Sequence, residues 1–490
     1  MRIIKYAFQI QAILIALSGF SFCKLNTETS ALLEMNLMRY MLELSSGAIN
    51  PEILSVAPED YSNMAEDQII TVVFDRQLIG TTAEITGLKS SSGYDITLVA
   101  TNVKDDTFVI KPKSTWINGD ITPVITFTDV SEQQVDLILT YQVFKDTAGY
   151  NADAVYAVAP NTSGKDSNTG KNFNDYKATI QSAIDEANKD IAAGDVTSAV
   201  VVVEGDIEFF HDPYIVSSPV TLSPDIHLLG GYDFIDYDRP NDYISKIESS
   251  CTAGTCHTVK ALDSKITNSN TTLQKFVIQG GSGTDSRAVY ISGASPTIER
   301  NTINGGAGTS SHGIYVSGGA PLIKNNMVDG EGGTTSYGIF TTGVKGSLIY
   351  NNTVDGGTAG TTKTALETGA KDDIINNIFK NSTSSCITSS ANPISVKNNN
   401  FSTCPSYFGT YDTICGGDIG IGGCTTVLSS TLPSSGSTDA APILSSVWKL
   451  TASSPAAVTQ GGKNLSGTVD EDFFGTARTV PCSIGAHERD

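Results

Sequence analysis

The chain has 490 residues, with 31 Lys or Arg against 52 Asp or Glu and a net charge of −21. This length exceeds what a single hydrophobic core fills, so two or three domains are expected. The acid is concentrated between Pro51 and Ser245, where 31 acidic residues accompany 11 basic ones. That balance offers no basic stripe to phosphates, argues against a nucleic-acid partner, and reads as solubility and self-repulsion.

Residues 1–22 read as a secretory signal. Arg2 and Lys5 precede an apolar run from Ile10 to Leu17, and small residues follow at Ser18, Gly19 and Ser21. The run is too short to span a membrane as a helix. Cys23 stands where a lipoprotein signal places its lipidated cysteine, although Phe22 occupies a position where small residues are usual. The segment resembles the relaxed lipobox of spirochaete lipoproteins. That resemblance implies an outer-membrane or cell-surface protein held by lipid on Cys23, with no other membrane contact. Cleavage near Ser21, leaving a periplasmic or secreted product, is the alternative. Residues 23–50 form a tether in which Ser30 caps a helix over 31–44. The apolar residues of that helix cover most of its circumference and need something to pack on.

Residues 51–146 carry short β-branched runs at 53–57, 68–75, 94–101, 107–112, 122–129 and 135–144, separated by turn formers. This spacing predicts an immunoglobulin-like β-sandwich. SVAPED at 55–60, ITVVFDRQL at 70–78, FVIKP at 108–112 and the final YQVF resemble bacterial Ig-like modules of the surface-layer type. Such modules imply a spacer or adhesive unit.

Residues 150–245 read as an N-terminal cap: a strand at 154–160, a helix with Ile180, Ile184, Ala187 and Ile191 on one face that stops at Gly194, and a buried strand at 199–210. A helix there plugs the open end of a β stack. SGKDSNTG at 163–170, TIQSAI at 179–184 and GGYD at 230–233 resemble the N-terminal part of secreted bacterial β-helix proteins. Asp166, Asn168 and Gly170 alternate as in calcium loops, but no later bidentate Glu follows. An Asx-turn loop without metal is the expectation.

The coils, 246–404, hold the repeat. An apolar residue recurs at Ile278, Ile303, Val328, Val354, Phe379 and Phe401, in steps of 25, 25, 26, 25 and 22. A second line runs half a period out of phase through AVYI at 288–291, GIYV at 313–316, GIFT at 338–341, TALE at 364–367 and SCIT at 385–388. Short β-branched runs with no helical period make each unit a β coil. Gly280, Gly305, Gly330 and Gly356 follow the strand, where a positive φ is expected. Asn301, Asn326, Asn352 and Asn377 are expected to stack as a structural amide ladder. The repeat resembles the right-handed parallel β-helix proteins of the pectate-lyase-like superfamily, and the fold expected is all-β.

Residues 405–490 form a Cys- and Gly-rich loop and a closing segment. SSPAAVTQGG at 453–462, DEDFFGTAR at 470–478 and SIGAHE at 483–488 resemble the closing segment of β-helix proteins. An internal salt-bridged cap is expected there, with Arg478 pairing an acid. Of 8 cysteines, Cys251 and Cys256 are close enough for a local disulfide; the connectivity of the rest stays open, and the spacings do not suit zinc.

Many β-helix proteins cleave polysaccharides. A lyase needs a calcium cluster of acids beside an Arg or Lys base, and a polygalacturonase-type hydrolase needs NTD, DD, GHG and RIK segments in order. Here SHG at 311–313 precedes Asp372–Asp373, and the other two segments are missing. Asp329 and Asp355 occupy equivalent places in successive coils, ~5 Å apart, which suits a retaining carboxylate pair. Both, however, sit in VDG turns where Asp is common. An outward column is more suggestive. If Ile314 and Val316 face the core, Tyr315 faces out, with Tyr290 and Phe340 as equivalents and Leu366 beyond; three residues before each stand Arg287, His312, Tyr337 and Lys363. Flat aromatics and guanidinium groups bind sugar rings and acidic glycans. The competing reading is a self-stacked ladder. The leading expectation is a non-enzymatic surface binding or adhesion protein, with a glycan or a host or matrix protein as partner and no cofactor. A carbohydrate-active enzyme and a passive surface protein are the alternatives.

Overall fold

The computed structural model describes residues 52–75, 82–87, 90, 92–101, 104–128, 134–159, 164–172, 175–207, 213–358, 360–383, 385–390, 395–408, 413–415, 424–426, 442, 450, 453–460, 462–478 and 482–487. The expected signal, the Cys23 anchor and the tether helix lie outside the described residues. Among the described residues no helix is long and apolar enough to cross a membrane.

Alternation decides the N-terminal β region. ITVVF at Ile70–Phe74 turns Ile70, Val72 and Phe74 inward, onto Met64, Phe108, Trp116 and Phe127. The Phe74 and Phe127 rings meet edge to face at 4.8 Å. Ten short strands form one four-stranded and two three-stranded sheets. The strand expected over 135–144 is two strands. Gln134–Ile138 pairs with Val124–Thr128, and Tyr141–Phe144 pairs with Ser62–Ala65 and Gly119–Ile121. The break at Leu139 and Thr140 lets the chain leave one sheet and join another. Ser62–Ala65, Thr82–Thr86 and Gly119–Ile121 were not foreseen.

This region docks firmly on the rest. Asn63 Nδ2 donates to Gly170 O at 2.9 Å, Lys145 Nζ meets Asp238 at 2.8 Å, and Phe144 packs its ring among Tyr232, Phe234 and Tyr237. The capping helix α1, Ile180–Ala193, starts at the N-cap Thr179 and stops at Gly194 in the left-handed region, φ 82°. It buries Ile180, Ala183, Ile184 and Ala187. Asp166 Oδ1 accepts from Thr179 N, Thr179 Oγ1 and Ser182 Oγ, so the 164–170 loop serves the start of this helix.

The coils stack into three lateral sheets. The first runs from Ala154–Val158 to Ser395–Lys397, the second from Asp206–Ile207 to Asn400–Ser402, and the third from Val220–Leu222 to Ser406–Phe408. Neighbouring coils pair in parallel, one on the next. Each sheet sends one column into the interior: Leu273, Ile298, Ile323, Ile349, Ile374 and Val396 from the first; Ile278, Ile303, Val328, Val354, Phe379 and Phe401 from the second; Val259, Val289, Ile314, Ile339, Leu366 and Ile387 from the third. These side chains are buried and form one continuous core.

The amide ladder runs between the first and second sheets. Asn326 Oδ1 accepts from Asn301 N and Nδ2, Asn352 Oδ1 from Asn326, and Asn377 Oδ1 from Asn352. Asn399 adds a further rung. One residue before each rung the chain takes a positive φ, at Arg300, Asn325, Asn351, Asn376 and Asn398, and Lys275 does the same before Phe276. The recurrent glycines have a different reason from the one expected. Gly305 is not in the left-handed region; a Cβ on it would lie 2.6 Å from Gly330 O, so the close approach of stacked coils excludes a side chain. The positive φ falls one residue later, at Gly306, Glu331 and Gly357.

The closing segment, 453–487, runs back along the corner marked by that positive-φ column. Lys463 joins Asn376, Thr468 O accepts from Lys324, Glu471 O from Asn325 and Phe473 O from Arg300. Leu465 and Val469 cover Leu322, Leu348, Tyr350 and Ile375 on the outer face of the first sheet. Glu488, one of the acids in the closing series, lies outside the described residues, and Arg478 is bonded here to main-chain and amide oxygens. Its guanidinium donates to Glu471 O, Ser483 O, Gly485 O and Asn325 Oδ1, while Arg300 takes the Glu471 carboxylate at 3.4 Å.

Candidate functional site

The strands of the third sheet carry two outward columns. One is His257, Arg287, His312, Tyr337 and Thr364; the other is Lys260, Tyr290, Tyr315, Phe340 and Glu367. Lys363 and Leu366 therefore leave the places expected of them. The coil between Ile339 and Leu366 is longer than the two before it, and the register moves by one residue. A one-residue slip exchanges the two faces of a strand. Leu366 becomes a core residue with no exposure, Glu367 takes the outward place, and Lys363 pairs with Ser336. The other six candidates, Arg287, Tyr290, His312, Tyr315, Tyr337 and Phe340, lie together on one face.

The rings are stacked on each other rather than spread flat. Tyr315 and Phe340 lie 4.8 Å apart at 16°, His312 and Tyr337 5.0 Å apart at 12°, and His257 and Tyr290 4.5 Å apart at 11°. Their planes therefore face along the coil axis, and their edges point outward. Tyr290 and Tyr315 are tilted by 52°, and the Arg287 guanidinium sits 3.9 Å from the Tyr315 centroid and 5.0 Å from that of Tyr290. Arg287 is held there by Asp285 at 2.5 Å, and the same carboxylate meets His312 Nδ1 at 3.4 Å. Burial would raise the Asp285 carboxyl, but His312 and Arg287 outweigh it and hold it down at about 2. Further along, burial raises the Glu367 carboxyl.

What this face offers outward is hydroxyl. Among the described residues no hydrogen bond uses the phenol oxygens of Tyr290, Tyr315 or Tyr337, nor the hydroxyls of Ser292, Ser317 and Thr342 beside them. The contacts described for the face run within it. The first sheet, by contrast, is covered by the N-terminal region and the closing segment, and Ile378 of the second sheet by Val458 and Ile484.

Residues 264–432 match the family model described as "Right handed beta helix region". With the three parallel sheets, this decides the architecture. The chain carries a parallel β-helix. No curated protein matches it. Two crystal structures of PcoC, a copper resistance protein from Escherichia coli, align with 19% of this chain and 99% of theirs, at 17% and 18% identity and TM-scores of 0.17 and 0.16. At that level the likeness carries no argument about this β-helix protein.

The carboxylates Asp329 and Asp355 are indeed neighbours in register, on the second sheet of the β-helix. Their surroundings differ. Asp355 is buried and bound to Lys380 at 2.6 Å, whereas burial and the Asp355 charge push Asp329 up to about 6. Asp329 also accepts from Glu331 N, which makes it part of its own turn. Cys251 and Cys256 form a disulfide where the coils begin, and Cys386 and Cys404 form a second near the last described coils. The sequence reading missed His257, Lys260, Asp285 and Glu367 on the third face. HTVK at 257–260 matches RAVY at 287–290 at a step of 30, outside the 25-residue period that exposed the others.

Proposed function

We propose that this protein is an exported, lipid-anchored envelope protein that binds a glycan at the third lateral face of its β-helix. The observation that carries the reading is the line of edge-on phenols flanked by Ser and Thr hydroxyls on a face that no other described segment covers. A hydroxyl-rich, flat, repeating surface suits a ligand that is itself a chain of hydroxyls, and Lys260 favours an acidic sugar at one end. Ring-face stacking is not the mode of capture, since the rings already use their faces on each other. The Ig-like region serves as a spacer. Cys23 supplies the anchor.

A passive surface ladder is the second reading, favoured by the same ring stacking. A glycan array separates the two. Wild type should give signals that fall at least tenfold in Tyr315→Phe and Tyr337→Phe, which delete hydroxyls and keep the stack. An absence of signal for wild type, or equal signals for these variants, leaves the ladder as structure alone. Palmitate labelling of wild type and Cys23→Ala tests the anchor.

A further inference from the structure

Between Arg300 and Asn376 the closing segment bonds the positive-φ column rung by rung, with one gap. Asn325 gives Nδ2 to Glu471 O at 2.6 Å and accepts from Arg478 at 2.8 Å. Asn376 gives Nδ2 to Lys463 O and accepts from Lys463 N, both at 2.7 Å. Asn351 lies between them, in the same conformation, with φ 54° and no exposure. Its Oδ1 accepts from Asn376 Nδ2 at 3.4 Å, but its Nδ2 has no acceptor among the described residues. Flipping the amide would set two NH2 groups against each other, so this orientation is fixed by its neighbour.

At this rung a cavity of about 30 Å³ lies against Asn351, with Lys463, Ser466, Asp470 and Arg478 on its polar side and Leu465 and Val469 on its apolar side. That volume admits one or two water-sized bodies. Asp470 Oδ1 is taken by Gly467 N, and Arg478 is spread over main-chain carbonyls. The Ser466 hydroxyl and the Lys463 ammonium take no bond among the described residues. Both are exposed, so the cavity can exchange with solvent.

We propose that this cavity is a binding site for one small hydrogen-bond acceptor, a water or a monovalent anion, held by Asn351 Nδ2 with Ser466 and Lys463. A buried amide donor left empty costs as much as a broken hydrogen bond, and its two neighbours in the column show what it is built to make. The occupant completes the seam between coil and closing segment. Excess donors at the site, set against a single engaged carboxylate, exclude a cation.

The test is a high-resolution crystal structure of the full chain grown in sodium chloride, and a second grown in sodium bromide. One peak within hydrogen-bonding distance of Asn351 Nδ2 is expected in both. Anomalous signal from that peak in bromide identifies an anion; a peak without it identifies water. A cavity empty in both overturns the proposal. Thermal melts against chloride, for wild type and Asn351→Asp, form the second arm. An anion site requires wild type to gain melting temperature with chloride and the variant to lose that gain; a water site requires neither to respond. If Asn351→Asp does not fold, the two wild-type structures decide alone.

Discussion

Replacing Asn352 by Ala removes the middle of the amide ladder and tests whether that ladder holds the coils together. The Asn352 Oδ1 atom accepts from Asn326 N at 2.9 Å and from Asn326 Nδ2 at 3.0 Å. Its Nδ2 donates to Ile323 O at 2.8 Å, Tyr350 O at 3.0 Å and Asn377 Oδ1 at 3.0 Å. Some of these groups keep other partners. Asn326 Nδ2 still reaches Ile298 O and Lys324 O, Asn377 Oδ1 still accepts from Asn352 N, and Tyr350 O from Asn325 N. The Asn326 main-chain N–H keeps none in the ladder. Leaving one buried donor unsatisfied costs about 1–3 kcal/mol, and the lost bonds to the Ile323 and Tyr350 carbonyls add about 0.5–1.5 kcal/mol each. A total of about 2–6 kcal/mol is expected, and water entry would bring it toward the lower figure. Urea unfolding followed by far-ultraviolet circular dichroism should show the midpoint of the β-helix transition falling with little change in slope. A midpoint equal to that of wild type would refute the claim that the ladder carries stability, and would reduce it to a consequence of coil stacking.

Asp329→Asn should stabilise the protein at pH 8 by about 1–3 kcal/mol, with the gain fading by pH 4. A carboxyl raised to about 6 binds its proton more tightly in the folded chain, so its contribution is present below the ordinary 3.8 and is lost as pH rises through about 6. Melting temperatures of both proteins across that range provide the check. Asp285 works in the opposite sense. Lowered to about 2, it contributes stability above 3.8 that is lost as pH falls through 2, and Asp285→Asn should flatten the acid limb of the unfolding curve. The register on the third sheet predicts that Leu366→Glu costs more than about 3 kcal/mol by burying a charge, whereas Glu367→Leu is tolerated; comparable soluble yields and melts for the two would restore the alternative alignment. Reduction of Cys386–Cys404, which closes a span of 18 residues, should remove about 3 kcal/mol of unfolded-state constraint. Hydrogen exchange at 385–408 with and without reductant reports it.

The β-helix was legible because stacking imposes the same demand on every coil. An inward Ile or Val and a buried Asn are needed at one place per turn, and the chain repeats them at nearly constant intervals. Features that depend on a single local count were harder to read. The extra length before Leu366 is invisible to a pattern that matches TALE with GIFT, since both tetrads hold an apolar pair. Only the core's refusal of a carboxylate at 366–367 separates the alignments. Ring direction was hidden for another reason. An outward aromatic can turn its face or its edge to solvent, and the strand spacing of about 4.8 Å, within the range of centroid separations for offset-stacked rings, selects the edge. The contacts of Asn325 with Arg478 and of Arg300 with Phe473 join residues more than 150 apart, and no repeat announces them.

That last separation has a kinetic consequence. Each coil meets its neighbour across about 25 residues, so stacking can proceed in short steps as the chain emerges N-terminus first. Closure of the corner cannot. Arg300, Lys324, Asn325 and Asn376 wait for partners made 87 to 173 residues later. Until then Leu322, Leu348, Tyr350 and Ile375 lie bare along one side of an otherwise finished rod. Any ribosomal or export pause in the 405–452 stretch prolongs a state with a strip of apolar surface in solution, and chaperones that grip such strips would be drawn to this protein during that interval.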